Sequence, residues 1–313
     1  MATAQPAPGR GAAEGAPAGK AAQNAAVAAA RPALALDLTV LEGPAELAAH
    51  LAAVRGATVV RPDVSDDTGS ALFHRPSAPL PAGATAHLWE RPGARVVAHP
   101  EAAGVPHFAN GVVHEGRLVL TDCWRCFTLD EGPRRLITSV INLAPSAPLL
   151  PRLTGELQPV VTASGAADGP VHFELVVGED QTKVVKYARR QAGSPLPELC
   201  DLLGVPGQAG ALATGRPVAL ADTGSPGFVA DYSFLVRAHG RLEEITDLAG
   251  LVGRPSYAGT ECAPRPGDLL NPSQDESAVL QLLLRHDEEA TVLADIAHYQ
   301  ERNRAGVFVL APR

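Results

Sequence analysis

Residues 169–193 read GPVHFELVVGEDQTKVVKYARRQAG, and the fold turns on this stretch. VHFELVV is rich in β-branched and apolar residues, the composition of a strand. GEDQ supplies turn residues, and KVVKYARR returns as a second strand, so the whole reads as a hairpin. Strand side chains alternate between faces. His172 and Glu174 therefore share a face of the first strand. Lys186 and Ala188 share a face of the second, with Arg190 following if the strand runs that far. A carboxylate and a cluster of cations gather on a small sheet, which suits a bound polyphosphate. The same residues would also serve as the solvated face of an ordinary hairpin carrying ion pairs.

Working outward, composition narrows the classes. The chain has 313 residues, 46% of them hydrophobic and 19% charged, enough for a globular protein with a sizeable core. Lys20, Lys183 and Lys186 are the only lysines, and nearly all positive charge is Arg. The Ala, Arg, Gly and Pro bias reads as that of a GC-rich genome. A net charge of −8 without a basic block argues against a nucleic-acid surface. No apolar run approaches the roughly 18 residues of a membrane helix, so a cytoplasmic protein without a membrane partner is expected. Cys123 and Cys126 form a C-x-x-C in TDCWRCF, with no second Cys or His pair close by to complete a zinc site. Their flanks read as strand, where i and i+3 face opposite ways, so two small semi-buried residues are expected. A thiol or metal role is the alternative.

Along the chain, residues 1–33 are Ala, Gly and Pro with scattered polar residues, too little apolar bulk to offset ordering entropy. A disordered tail is predicted. Residues 34–40 read as a strand and 42–55 as a helix with Pro44 in its first turn. Strands are predicted over 57–62, 86–90 and 94–100, with a turn-rich loop, DVSDDTGS, after the first. HFANGVVHEGRLVLTDCWRC reads as alternating strands around H-E-G, and GPRRLITSVINL as a further strand. A helix is expected within 146–164 and another over 195–204, closed by Gly204. From Gly227 onward a small α+β unit follows: strand, an irregular connection over Pro255–Asp268, strand, helix with an acidic start, and a last strand.

The hairpin resembles the second nucleotide-binding subdomain of the ATP-grasp ligases. There a strand bearing a carboxylate leads into a metal-binding strand of outline V-E-x-x-x-R-x-x-G. VKYARRQAG follows that outline, with Arg190 at the family's Arg and Gly193 at its Gly, and Glu174 falls where many members have a first acidic residue. Lys186 stands where the family has its main Mg²⁺-binding Glu. Upstream, the order helix, strand, polar loop, strand resembles the first ATP-binding subdomain. Its V-V-x-K-P strand carries a phosphate-contacting Lys, and Arg61 occupies that place here; Arg keeps the charge but presents it differently. The loop that follows is Gly-rich in most members, whereas DVSDDTGS has one Gly and three Asp. His99 is nearest to the family's hinge residue at the adenine and ribose, with Glu101 close by. Trp124 and Arg125 match a T-D-x-W-R segment of some amino-acid ligases in this class. Arg125 would contact a substrate carboxylate or phosphate, or else cap a strand beside a core Trp124; Arg134 and Arg135 are further candidates.

The resemblance implies an α+β, ATP-grasp-like architecture: two α+β subdomains with antiparallel sheets over 34–225, and a small C-terminal α+β subdomain over 226–313. It implies ATP as ligand, Mg²⁺ held by Glu174, nucleotide contacts from Arg61, His99, Glu101 and Lys186, and catalytic roles for Lys186 and Arg190. The implied chemistry is that of an ATP-dependent carboxylate–amine ligase: a carboxylate is phosphorylated to an acyl phosphate, which an amine then displaces. Because Lys cannot ligate Mg²⁺, the metal site is expected to be altered. Either Lys186 binds phosphate itself, or it pairs with Glu174 across the strands in a non-catalytic scaffold or partner subunit. Ordinary members also carry an N-terminal α/β domain ahead of the matched part, so a protein partner supplying it is a further expectation.

Overall fold

The computed structural model describes residues 19–64, 71–81, 83–166, 168–224, 227–273 and 279–311. Helix α1 (Lys20–Ala30) leads to β1 (Thr39–Leu41), α2 (Pro44–Ala53), β2 (Thr58–Pro62), β3 (Leu72–His74) and β4 (Val96–Pro100). The four strands form an antiparallel sheet in the order β1-β4-β2-β3. Pro44 opens α2, where its missing N–H costs nothing. Glu46 in the first turn accepts the Glu42 N–H at 2.8 Å. One face of the sheet buries Leu41, Val60, Leu72, Val96 and Ala98 with Leu47 of α2. Each such aliphatic contributes about 1.5–3 kcal/mol on burial. The opposite face carries Val59, Arg61, Phe73 and His99, because Val59 pairs with both Phe73 and His99 in register.

The second sheet has eight strands. It takes in β5 (Val105–His114), β6 (Arg117–Glu131), β7 (Arg134–Asn142), and, beyond α3 (Leu149–Ala163), β8 (Gly169–Val177) and β9 (Thr182–Ala188). Helices α4 (Leu196–Leu203) and α5 (Gly207–Thr214) precede β10 (Phe228–Phe234). Then come β11 (Gly240–Ile245), α6 (Leu248–Val252), β12 (Tyr257–Cys262), β13 (Leu269–Leu270), β14 (Leu280–His286), α7 (Glu289–Ala305) and β15 (Phe308–Ala311). The large sheet runs β12-β14-β10-β7-β6-β5-β8-β9, and β13-β11-β15 form a small third sheet. Helices α1 and α3 cover one face of the large sheet through Val27, Leu153, Leu157 and Phe173. Further along that face, Tyr232, Phe234 and Tyr299 pack with α7. Trp124, Cys126 and Val140 on the other face are covered by α4. What remains of that face, toward β8 and β9, looks across at the polar face of the first sheet.

The fold is α+β with antiparallel sheets, as expected, and the hairpin at 169–188 pairs as read, with Glu174 opposite Lys186. Several local expectations fail. Residues 1–18 lie outside the described residues, but 20–30 are not a disordered tail. They form α1, with Val27 1% exposed in the main core. Alanine favours helix strongly, and α3 and β9 supply the apolar partners that the segment lacks alone. Residues 86–89 form a short 3₁₀ turn and no strand. Pro255–Asp268 is not wholly irregular, since it holds β12, an edge strand with two bulges. Strands β10, β12 and β14 join the same sheet as β5–β9, so hydrogen bonding runs across the division drawn at 225/226. Cys123 and Cys126 sit on opposite faces of the continuous strand β6, in separate core clusters, and neither forms a disulfide. Burial pushes the Cys123 thiol well above its ordinary range, the opposite of a reactive cysteine.

Candidate functional site

The two sheets face each other across a cleft of about 140 Å³. Arg61, His99, Glu101, Glu174 and Lys186 all line it, together with Lys20, Arg135, Phe73, Pro106, Phe108 and Ile137. Strand alternation on β2 and β4 aims Arg61 and His99 inward. The hairpin raises Glu174 and Lys186 from the other side. Four cations face two carboxylates here, an excess of positive charge that favours an anion.

Each charge has a defined setting. Lys186 Nζ lies 3.0 Å from Glu174 Oε1, and His172 Nε2 lies 3.7 Å from the same oxygen. Burial alone would raise the Glu174 pKa. The neighbouring His172 and the Lys186 charge outweigh it and bring the carboxyl down to about 2. Arg61 reaches across the cleft, where its Nη2 donates to Val185 O at 2.9 Å. Val185 is the extra residue of a β-bulge, since Glu174 pairs with Lys186 while Leu175 pairs with Val184. Burial lowers the Arg61 pKa to about 10, against the pull of Glu174, and leaves it charged at neutral pH. Burial and the Arg61 charge hold His99 down to about 4. Glu101 is bound at 2.6 Å by Arg135, whose guanidinium also lies 4.5 Å from the Phe73 ring centre.

Behind the pair runs a buried polar chain that the sequence reading did not find. Asn110 donates to Asp122, which also accepts Trp124 Nε1 at 2.6 Å and Thr121 Oγ1 at 2.9 Å. The Asn110 oxygen therefore turns to His172 Nδ1, at 2.7 Å. Burial raises the Asp122 pKa although three donors oppose it. This chain depends on the register of β5 with both β6 and β8, which composition does not reveal. Lys20 was also missed, having been assigned to the tail. It is 6% exposed, its Nζ donates to Pro62 O at 3.0 Å, and it borders the cleft. Its one sequence signal is a lysine opening an alanine-rich segment in a lysine-poor chain.

Other expected residues lie elsewhere. Strand β9 stops at Ala188, so Arg190 falls beyond it. It is exposed, donates to Gln191 O at 2.7 Å, and is not among the lining residues. Arg125 pairs with Glu289 at 2.9 Å, and Trp124 is fully buried. Arg134 borders a separate cavity of about 410 Å³ at the β6–β7 turn. Asp63 of the Asp-bearing loop faces the start of α1, accepting Ala21 N–H at 2.8 Å and pairing with Arg95 at 2.6 Å. Residues 65–70 of that loop, with Asp66, Asp67 and Gly69, lie outside the described residues.

Magnesium does not fit this donor set. It takes oxygen ligands in near-octahedral geometry, and the cleft's two carboxylates are each already held by a cation, Glu174 by Lys186 and Glu101 by Arg135. Among the described residues no group of three or more His, Cys, Asp or Glu could hold a metal ion. A phosphate-bearing ligand fits better, since Arg61 Nε is a buried donor without a partner among the described residues. The cleft is smaller than the roughly 300–1,000 Å³ of small-molecule sites, so a whole nucleotide requires the sheets to part.

Two facing antiparallel sheets with the polar hairpin on one side form the ATP-grasp fold, and this chain has that fold. No protein-family model matches the sequence, and no curated protein matches it. Solved structures do. The L-amino acid ligase from Bacillus licheniformis aligns over 94% of this chain and 73% of its own, with a TM-score of 0.71 and 15% identity. Carboxyaminoimidazole ribonucleotide synthase from Aspergillus clavatus, complexed with ATP, aligns over 92% and 73%, at 0.63 and 14%. The biotin carboxylase domain of the Hydrogenobacter thermophilus 2-oxoglutarate carboxylase, holding MgADP, ADP and bicarbonate, aligns over 94% and 66%, at 0.58 and 12%. At these identities the likeness is one of fold.

Proposed function

We propose that the cleft binds ATP through Arg61, Lys186 and Lys20 without a carboxylate seat for Mg²⁺, and that the chain works as a nucleotide-binding partner subunit in which ligase chemistry is disabled. The observation that carries this reading is the 3.0 Å contact between Lys186 and Glu174. It spends the one inward carboxylate of the hairpin on an internal cation. The excess positive charge of the lining would stand in for the metal by neutralising phosphate. Support also comes from the neighbours of like fold that hold ATP or ADP. Among the described residues no helix is long and apolar enough to cross a membrane.

A second reading keeps an active carboxylate–amine ligase with an altered metal site. It is favoured by Glu174, which stays ionised inside the cleft with a pKa of about 2. Calorimetric titration of ATP, in Mg²⁺ and in EDTA, on wild type and Lys186→Glu, separates the two. Binding that survives EDTA in the wild type and becomes Mg²⁺-dependent in the variant is expected. Wild-type binding that requires Mg²⁺, with ADP release when amino acids are added, would favour the ligase. No binding by either protein would refute both.

A further inference from the structure

At one end of the cleft four charged side chains alternate in a closed ring. Arg75 follows β3 and Glu101 follows β4, so both belong to the first sheet. Asp130 on β6 and Arg135 on β7 stand opposite each other in the large sheet. Arg75 Nη2 lies 3.1 Å from Asp130 Oδ2, Arg135 Nε 2.8 Å from Asp130 Oδ1, and Arg135 Nη1 2.6 Å from Glu101 Oε1. Arg75 Nη2 closes the ring at 4.0 Å from Glu101 Oε2. Each cation pairs with both carboxylates. Two of the pairs, Arg75–Asp130 and Arg135–Glu101, cross from one sheet to the other.

The crossing is reinforced beside the ring. Phe73 N–H on β3 donates to Pro133 O in the β6–β7 turn at 2.6 Å, and the Arg135 guanidinium lies over the Phe73 ring. The Arg135 bond holds the Asp130 carboxyl below its ordinary range. Side-chain exposure in the ring runs from 24% at Glu101 to 46% at Asp130. Exposed pairs are individually weak, which makes the ring releasable. A cleft of about 140 Å³ admits a whole nucleotide only when the sheets part, and parting them at this end breaks both crossing pairs and the Phe73 bond.

We propose that the ring of Arg75, Asp130, Arg135 and Glu101 is an autoinhibitory clamp that holds the cleft shut against its own ligand. This rests on the reading of the cleft as an ATP site and adds its regulation. Arg75 and Asp130 are not among the lining residues, so they can be changed without altering the surface a ligand meets. Arg75→Gln gives the decisive sign. Removing a cation near an anion site weakens polyphosphate binding through charge alone. Releasing a clamp tightens it, because the apparent dissociation constant is the intrinsic one divided by the open fraction.

The experiment uses the full chain as wild type, Arg75→Gln and Asp130→Asn, with two readouts. The first is amide hydrogen exchange without ligand. The Phe73 N–H is expected to exchange about two- to fivefold faster in both variants, while amides inside β5–β8 keep their wild-type rates. The second is calorimetric titration with ATP in EDTA, in which Arg75→Gln should bind about two- to fivefold more tightly than wild type. Asp130→Asn releases the same pair and carries the exchange test if Arg75→Gln does not fold. Phe73 exchange unchanged in the variants, or ATP binding by Arg75→Gln equal to or weaker than that of wild type, overturns the clamp and leaves the nucleotide cleft standing. Faster Phe73 exchange with no ATP binding by any of the three proteins removes the nucleotide reading, and autoinhibition with it.

Discussion

Replacing Lys186 with methionine keeps most of the side-chain stem and removes its charge, leaving Glu174 ionised and enclosed. The two groups are 10% and 9% exposed at their side chains, so solvent does little to screen them. At 3.0 Å and an effective dielectric near 20, the Coulomb attraction is about 5 kcal/mol, before the desolvation of both charges is set against it. The displacement of the Glu174 pKa from 4.5 to about 2 gives an independent scale of about 3 kcal/mol, shared between Lys186 and His172. Lys186→Met is therefore expected to lose about 2–4 kcal/mol of unfolding free energy at pH 7. The double variant Glu174→Gln/Lys186→Met should return to within about 1 kcal/mol of wild type. Urea unfolding of wild type, both single variants and the double variant gives the coupling directly. The pH dependence has a definite sign. A depressed carboxylate stabilises above its unfolded pKa and loses that contribution as pH falls through the folded one, so wild type should lose stability relative to the double variant as pH falls from about 4.5 to 2. A single-variant cost under about 1 kcal/mol with additive effects in the double variant would refute the claim that the pair is coupled and buried.

Two further outcomes follow from other parts of the structure. Asp231 is buried on β10, and burial lifts its pKa from 3.8 to about 6 despite bonds from Val140 N–H and Gln281. The folded state therefore holds a proton that the unfolded state releases. Stability falls as pH rises from about 4 to 6, by about 3 kcal/mol. Asp231→Asn should remove this slope, seen as a smaller difference between urea midpoints at pH 4.5 and 7.5 than in wild type; an unchanged slope would contradict the assignment. Val27→Asp places an unpaired carboxylate against α3 and β9 and is expected to cost more than about 2 kcal/mol, measured by thermal unfolding. An unchanged melting temperature would mean that α1 is not docked.

The central hairpin was legible because its β-branched runs and turn residues agree at the local level, and the Glu174–Lys186 juxtaposition follows from strand alternation alone. Its exact reach was not. The bulge at Val185 and the stop at Ala188 leave Arg190 outside the cleft, although its place in the sequence outline matched. Residues 86–90 read as a strand, yet 86–89 form a 3₁₀ turn and join none of the three sheets of the described residues. Helix α1 was hidden for the opposite reason. Its local sequence has one useful apolar residue, Val27, and its order comes from contacts more than a hundred residues away, including Tyr187 N–H to Gln23 Oε1 at 3.3 Å. The Asp122–Asn110–His172 chain joins three strands and exists only once their registers are fixed.

The bond from Arg61 to Val185 O gives the cleft a resting state. On the proposed reading, a nucleotide that takes the whole Arg61 fork must end that contact and separate the sheets, so occupancy competes with self-closure. The apparent dissociation constant is then the intrinsic one divided by the fraction of molecules already open. With about one molecule in a hundred open, affinity is discounted about 100-fold. Anything that weakens the contact, a partner protein pressing on either sheet included, would tighten nucleotide binding without touching the nucleotide.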